Sequence, residues 1–160
     1  MKHINRTYLL LLLLLTALAV SSFSCSKGND DGAGTTPDAT NPNTSLKMKI
    51  TINSKVFTAT LANNATGRAF AQLLPLTIQM KDLNANEKFF DLASSLPTQS
   101  SNPGNINNGD IMLYGSRTLV LFYKGFQTSF AYTKIGAVND TDGYATALGN
   151  GNVTVTFETE

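Results

Sequence analysis

The sequence predicts a mainly β fold, a closed barrel of about eight strands with two short helices, and three observations carry that expectation. Stretches in which apolar and polar residues alternate recur along residues 46–160, each bounded by turn residues. That is the pattern of half-buried strands. The run Gly109-Asp110-Ile111-Met112-Leu113-Tyr114-Gly115 and its continuation Thr118-Leu119-Val120-Leu121-Phe122-Tyr123-Lys124 do not alternate. Branched and aromatic residues in an unbroken run between glycines read as a strand buried on both faces. Finally, so many short strands would expose many unpaired edges, and closing the sheet removes them.

The elements follow in order. Leu46, Met48, Ile50 and Ile52 alternate with Lys47, Lys49 and Thr51 in a first strand, Asn53-Ser54 supplies a hairpin turn, and Lys55 to Leu61 returns. Asn63 or Asn64 is placed to cap a helix with Ala65, Ala69, Phe70, Leu73 and Leu74 on one face. Pro75 ends that helix, and Gly67 weakens it. Leu76, Ile78 and Met80 mark a third strand, and the turn Asp82 to Asn86 leads to its partner, Glu87 to Leu92. Residues 94–108 are rich in Ser, Asn, Pro and Gly, too polar for a core element, and a loop this long is usually functional or mobile. After the doubly buried run come a strand around Phe130 to Ile135 and a short helix capped by Asn139-Asp140-Thr141. That helix holds Tyr144, Ala145 and Leu148 and stops at Gly149, and Val153, Val155 and Phe157 lie in the last strand.

The amino terminus carries an export signal. Lys2 and Arg6 precede seven leucines, Leu9 to Leu15, and the apolar stretch from Tyr8 to Val20 covers only 13 positions. A spanning helix needs about 20, so residues 1–24 read as a cleaved signal peptide. Ser22-Phe23-Ser24-Cys25 is similar to a bacterial lipobox, although leucine is usual at the position of Ser22 and a small residue at that of Phe23. The alternative is ordinary cleavage nearby, leaving a free thiol. Cys25 is the sole cysteine, and an exported chain seldom keeps one exposed thiol, which favours lipid attachment at Cys25. Residues 25–45 then form a polar, flexible tether. Asp30 and Asp31 within it resemble the surface-export signal of Bacteroidetes lipoproteins. The expected location is the bacterial outer membrane, on its periplasmic or cell-surface face.

Several chemistries are excluded. The only histidine, His3, is lost with the signal peptide, which removes Ser-His-Asp and Cys-His catalysis and histidine-ligated metal sites. Carboxylates remain, chiefly Asp82, Glu87, Asp91 and Asp110, at predicted turns and strand ends where caps and solvated groups are usual. Asp110, beside Gly109, is expected to bond loop amides. The segment Asn139-Asp140-Thr141-Asp142-Gly143 lacks the spacing and closing glutamate of a calcium loop. The chain has 12 basic and 11 acidic residues, and without Lys2 and Arg6 the balance is 10 against 11. Basic residues are scattered singly, so no nucleic-acid partner is expected. Phe89, Phe90, Tyr114, Phe122, Tyr123, Phe126, Phe130 and Tyr132 read mostly as core at alternating spacing. A minority of the aromatics on the rim would line a ligand groove made of Leu96, Pro97, Tyr114, Arg117 and Tyr132.

Taken in order, the hairpin, the helix ending in Leu-Pro, Leu-Thr-Ile-Gln-Met, Ser-Ser-Leu-Pro, Gly-Asp-Ile-Met-Leu-Tyr-Gly, Leu-Val-Leu-Phe-Tyr-Lys, Tyr-Thr-Lys-Ile-Gly and the closing Gly-Asn-Val-Thr-Val-Thr-Phe resemble the bacterial cyclophilin-like fold proteins. The resemblance covers residues 46–160 and implies a closed eight-stranded barrel with a helix over each end. Some members resemble domains fused to flavodoxins, which associates the fold with a redox partner. True cyclophilins carry Phe-His-Arg-x-x-Pro before Gly-Gly-Asp, the arginine polarising the substrate's proline amide. Here Pro97, Gly109 and Asp110 fit, but Ser94 stands at the arginine's place, and neither the tryptophan nor the histidine of the proline pocket has a counterpart.

The resulting expectation is a monomeric, lipid-anchored module that binds a peptide or small ligand without metal or cofactor. The alternatives are a divergent prolyl isomerase and an accessory lipoprotein docking to a redox or envelope partner. For the anchor, Cys25→Ala should move the protein out of the membrane fraction, and radiolabelled palmitate should mark the wild type alone. Equal membrane retention of the variant would refute lipid anchoring.

Overall fold

Alternating side chains commit each strand to an inner and an outer face, and the fold follows from what each face meets. The computed structural model describes residues 46–160. The expected signal peptide, Cys25 and the tether lie outside the described residues. The elements are β1 (Lys47–Ile52), β2 (Lys55–Leu61), α1 (Ala65–Ala71), β3 (Leu76–Leu83), β4 (Glu87–Asp91), β5 (Asn105–Ile106), β6 (Asp110–Tyr114), β7 (Thr118–Phe122), β8 (Phe126–Gln127), β9 (Tyr132–Val138), α2 (Tyr144–Leu148) and β10 (Val153–Thr159). Eight strands close into an antiparallel barrel in the order β1-β10-β3-β4-β7-β6-β9-β2, and β5 pairs with β8 as a separate ribbon. The mainly β, closed eight-stranded architecture expected from the sequence is therefore the one observed.

The barrel interior takes Met48, Ile50 and Ile52 from β1, Ile111 and Leu113 from β6, Leu119 and Leu121 from β7, and Val155 and Phe157 from β10. Each of these side chains is withdrawn from water, which favours folding by about 1.5–3 kcal/mol per large side chain. Phe70 of α1 and Tyr144 of α2 belong to the same core. Phe70 meets Phe157 edge-on at 5.7 Å, and Tyr144 meets Phe57 edge-on at 5.2 Å.

The structure corrects several details. The doubly buried run is a hairpin of two strands, β6 and β7, which turns at Gly115. Helix α1 is capped by Asn64, whose side chain accepts from the Gly67 amide at 2.7 Å. It buries Thr66, Gly67 and Phe70, whereas Ala65 and Leu73 face water. Gly67 is a requirement there and not a weakness, because a Cβ would collide with the Ala62 carbonyl oxygen. The strand placed at Phe130 begins at Tyr132 and leaves Phe130 exposed. Helix α2 follows a left-handed Gly143 with no side-chain cap, while Asp140 accepts from the Asp142 amide at 2.9 Å. Residues 94–108 are pinned, with Leu96 N donating to Ser116 O at 2.8 Å and Ser101 exchanging backbone bonds with Tyr132 at 3.0 Å. They also supply β5, whose Ile106 is only 2% exposed, so this polar stretch does contain a core residue.

Two buried polar groups meet opposite fates. Lys88 is 0% exposed on the inner face of β4, and its ammonium donates to Asp82 Oδ1 at 2.6 Å, Gly149 O at 2.8 Å and Gly151 O at 2.7 Å. Three donors meet three acceptors, so the ammonium is saturated. Asp82 also accepts from the Tyr123 hydroxyl at 2.6 Å. The Lys88 hydrogen bond, then that of Tyr123, hold the Asp82 carboxyl below its ordinary value of 3.8. Asp82 is thus neither a cap nor a solvated turn residue but the counter-ion of a lysine inside the barrel. Tyr144 is equally buried, yet its hydroxyl has no hydrogen-bond partner among the described residues.

Lys88→Met should therefore lower stability by about 3 kcal/mol, because it strands buried acceptors, with solvent at Asp82 limiting the loss. A melting midpoint equal to that of the wild type would contradict this account. The wild-type Asp82 contribution is present above the unfolded carboxyl's value and is lost as pH falls through its lower folded value. Tyr144→Phe removes a hydroxyl that gained nothing on burial. Its melting midpoint should stay level or rise, by up to about 1 kcal/mol in stability.

Candidate functional site

Strands β4, β7, β6 and β9 are adjacent in the barrel wall, and their alternation leaves a second set of side chains outside. Met112, Val120, Phe122 and Tyr132 form an outer apolar cluster with Ile106, and Phe89 and Phe126 pack against it. The β5–β8 ribbon lies over this wall as a flap. Phe122 is 0% exposed, its ring 5.6 Å from that of Phe126 and 5.5 Å from that of Tyr132. This outer layer is what makes β6 and β7 read as buried on both faces.

The flap covers only part of the wall. Beside it lies a cavity of about 450 Å³ whose apolar lining comes from Leu83, Phe89, Tyr114, Val120, Phe126, Phe130 and Tyr132. Small-molecule sites typically enclose about 300–1,000 Å³ with such a lining. Tyr114 and Phe130 stack edge-on at 6.2 Å, and Tyr114 lies 5.6 Å from Tyr132. Tyr114 keeps 47% and Phe130 59% of its surface in water, a marked exposure for paired aromatic side chains.

The polar lining is Asn84, Asn86, Glu87, Asp91 and Thr118, with no basic residue. Glu87, Phe89 and Asp91 alternate along β4 and so share its outer face, opposite Phe122, Val120 and Thr118 of β7. Asp91 accepts from the Thr118 hydroxyl at 2.6 Å. Glu87 is half-buried and, among the described residues, its carboxylate takes part in no ion pair or hydrogen bond. Burial raises its carboxyl above the usual range. Glu87 and Tyr132 line the same cavity, and the Tyr132 phenol is raised first by its own burial and then by the Glu87 charge. The side-chain oxygen of Asn86 is enclosed and, among the described residues, meets no hydrogen-bond donor.

Of the residues expected to line a groove, the structure brings Tyr114 and Tyr132 together here. The other three lie elsewhere. Leu96 is packed into the barrel core. Pro97 is exposed, and its carbonyl accepts from the Thr66 hydroxyl at 2.7 Å. Arg117 sits exposed in the β6–β7 turn, its carbonyl accepting from Leu92 N at 2.9 Å. Arg68 donates to Asn63 Oδ1 at 3.0 Å, so neither arginine is in the cavity lining. Asp110 is occupied structurally: it accepts from the Asn107 amide at 2.8 Å and pairs with Lys134 at 3.4 Å. Glu87, Phe89, Phe126 and Phe130 were not in the expected groove. The alternation Glu87-x-Phe89-x-Asp91 was a usable signal for the first two, but the flap that brings in Phe126 has none.

A family model described as the cyclophilin-like family matches residues 50–158, and the chain belongs to that family. The solution structure of the hypothetical protein AF2241 from Archaeoglobus fulgidus has a similar fold, with a TM-score of 0.55 at 17% identity. That similarity covers 72% of this chain and 95% of AF2241. No curated protein matches the chain in sequence.

Proposed function

We propose that the protein is an exported, lipid-anchored binding module whose outer-wall cavity holds a small ligand or short peptide. One observation carries this reading: two neighbouring aromatic rings, Tyr114 and Phe130, stay half in water over a preformed cavity. Leaving such rings exposed forgoes hydrophobic stabilisation that a bound apolar body restores. The absence of any basic residue from the lining supports binding rather than prolyl isomerisation, since a twisting X-Pro amide is stabilised by a positioned donor or positive charge. The tether and acyl chain then serve to hold the module at the membrane.

Every contact described lies within residues 46–160, so a chain lacking residues 1–24 and carrying Cys25→Ser keeps them all. Isotope-labelled protein of this form, titrated with a library of aromatic fragments and short peptides, should show amide shifts concentrated at Tyr114, Phe126, Phe130 and Tyr132. Phe130→Ala, a change at an exposed position, should weaken any such ligand about tenfold without moving the melting midpoint. Shifts centred elsewhere, or none with any fragment, would overturn the assignment.

A further inference from the structure

We infer that the cavity selects a small organic cation, a protonated amine carried on an apolar body. This rests on the reading that the cavity is a binding site, and it adds the charge of the ligand. Two features of the lining converge. The rings of Tyr114, Phe130 and Tyr132 are grouped at one end, and aromatic faces attract ammonium groups through their quadrupoles. Glu87 projects from β4 onto the same wall with its charge unpaired, and a half-buried carboxylate without a cation is costly until one arrives.

Among the described residues, no cation lines the cavity. Lys88, the neighbour of Glu87, points into the barrel and is saturated by Asp82, Gly149 and Gly151. Lys134 is paired with Asp110, and no basic residue lines the cavity. An anionic ligand would meet Glu87 and Asp91 with nothing to balance them. At about 450 Å³ the space suits a compact molecule with a single fused-ring body.

The chain has no tryptophan, so indole emission from a probe excited beyond tyrosine absorption is free of protein background. Three indoles of nearly equal shape make the test: tryptamine, a cation; tryptophol, neutral; and indole-3-acetate, an anion. With the chain lacking residues 1–24 and carrying Cys25→Ser, tryptamine should bind about tenfold more tightly than tryptophol, and indole-3-acetate most weakly. Glu87→Gln should weaken tryptamine about tenfold. Glu158→Gln, the same charge change on a surface ion pair remote from the cavity, should leave tryptamine binding unchanged. Equal affinity for tryptamine and tryptophol in the wild type would overturn the cation preference and leave the binding-module reading standing. An equal effect of both glutamine variants would reduce the preference to net charge and also overturn it. Failure of all three probes at millimolar concentration would overturn the inference and count against the cavity itself.

Discussion

Strands β6 and β7 give up both faces to apolar packing, and much else in the molecule answers to that. Their inner residues Ile111, Leu113, Leu119 and Leu121 fill the barrel, while Met112, Val120 and Phe122 need a cover outside it. A closed barrel has only water on its outer side unless some other part of the chain is laid across. Residues 94–108 and the segment after β7 do this, pairing Ile106 with Phe126 in the short ribbon. Once the cover is in place, its boundary fixes where apolar wall meets solvent, and the cavity lies along that boundary. The candidate site is therefore a by-product of how far the flap reaches.

Closure sets a second constraint at the barrel's end. Inner positions of β4 alternate Lys88 with Phe90, so the interior must accept one ammonium. Asp82, the loop carbonyls of Gly149 and Gly151, and the Tyr123 hydroxyl that shares Asp82 form its surroundings. Those partners come from β3, the segment after β7, and the turn after α2. One amine thus ties together pieces of chain far apart in sequence.

Much of the barrel was legible in the sequence because alternation states which side of a strand is wet. It was readable in Met48-x-Ile50-x-Ile52 and Val153-x-Val155-x-Phe157, and its loss across residues 111–122 was correctly a sign of double burial. Alternation does not say what a face packs against. Lys88 has the composition of an exposed residue and is inside; Leu96 has that of a groove residue and is core. Ile106 sat in a stretch whose average polarity hid it. For the site, Tyr114 and Tyr132 were legible as aromatic residues near strand ends. Arg117 and Pro97 were grouped with them as rim residues, whereas here their backbone carbonyls accept from Leu92 N and the Thr66 hydroxyl. Glu87 became significant only when its neighbours in space were seen to include no cation.

The enclosure of Lys88 has a consequence outside energetics. Lys47, Lys55, Lys81, Lys124 and Lys134 present their amines to solvent, but that of Lys88 is shielded by the barrel and its own hydrogen bonds. An acylating reagent will modify the first group at once and reach Lys88 only through molecules whose barrel end has come apart. The rate at which that single site gains mass therefore meters the breathing of the closed sheet, without any label having to be engineered into it.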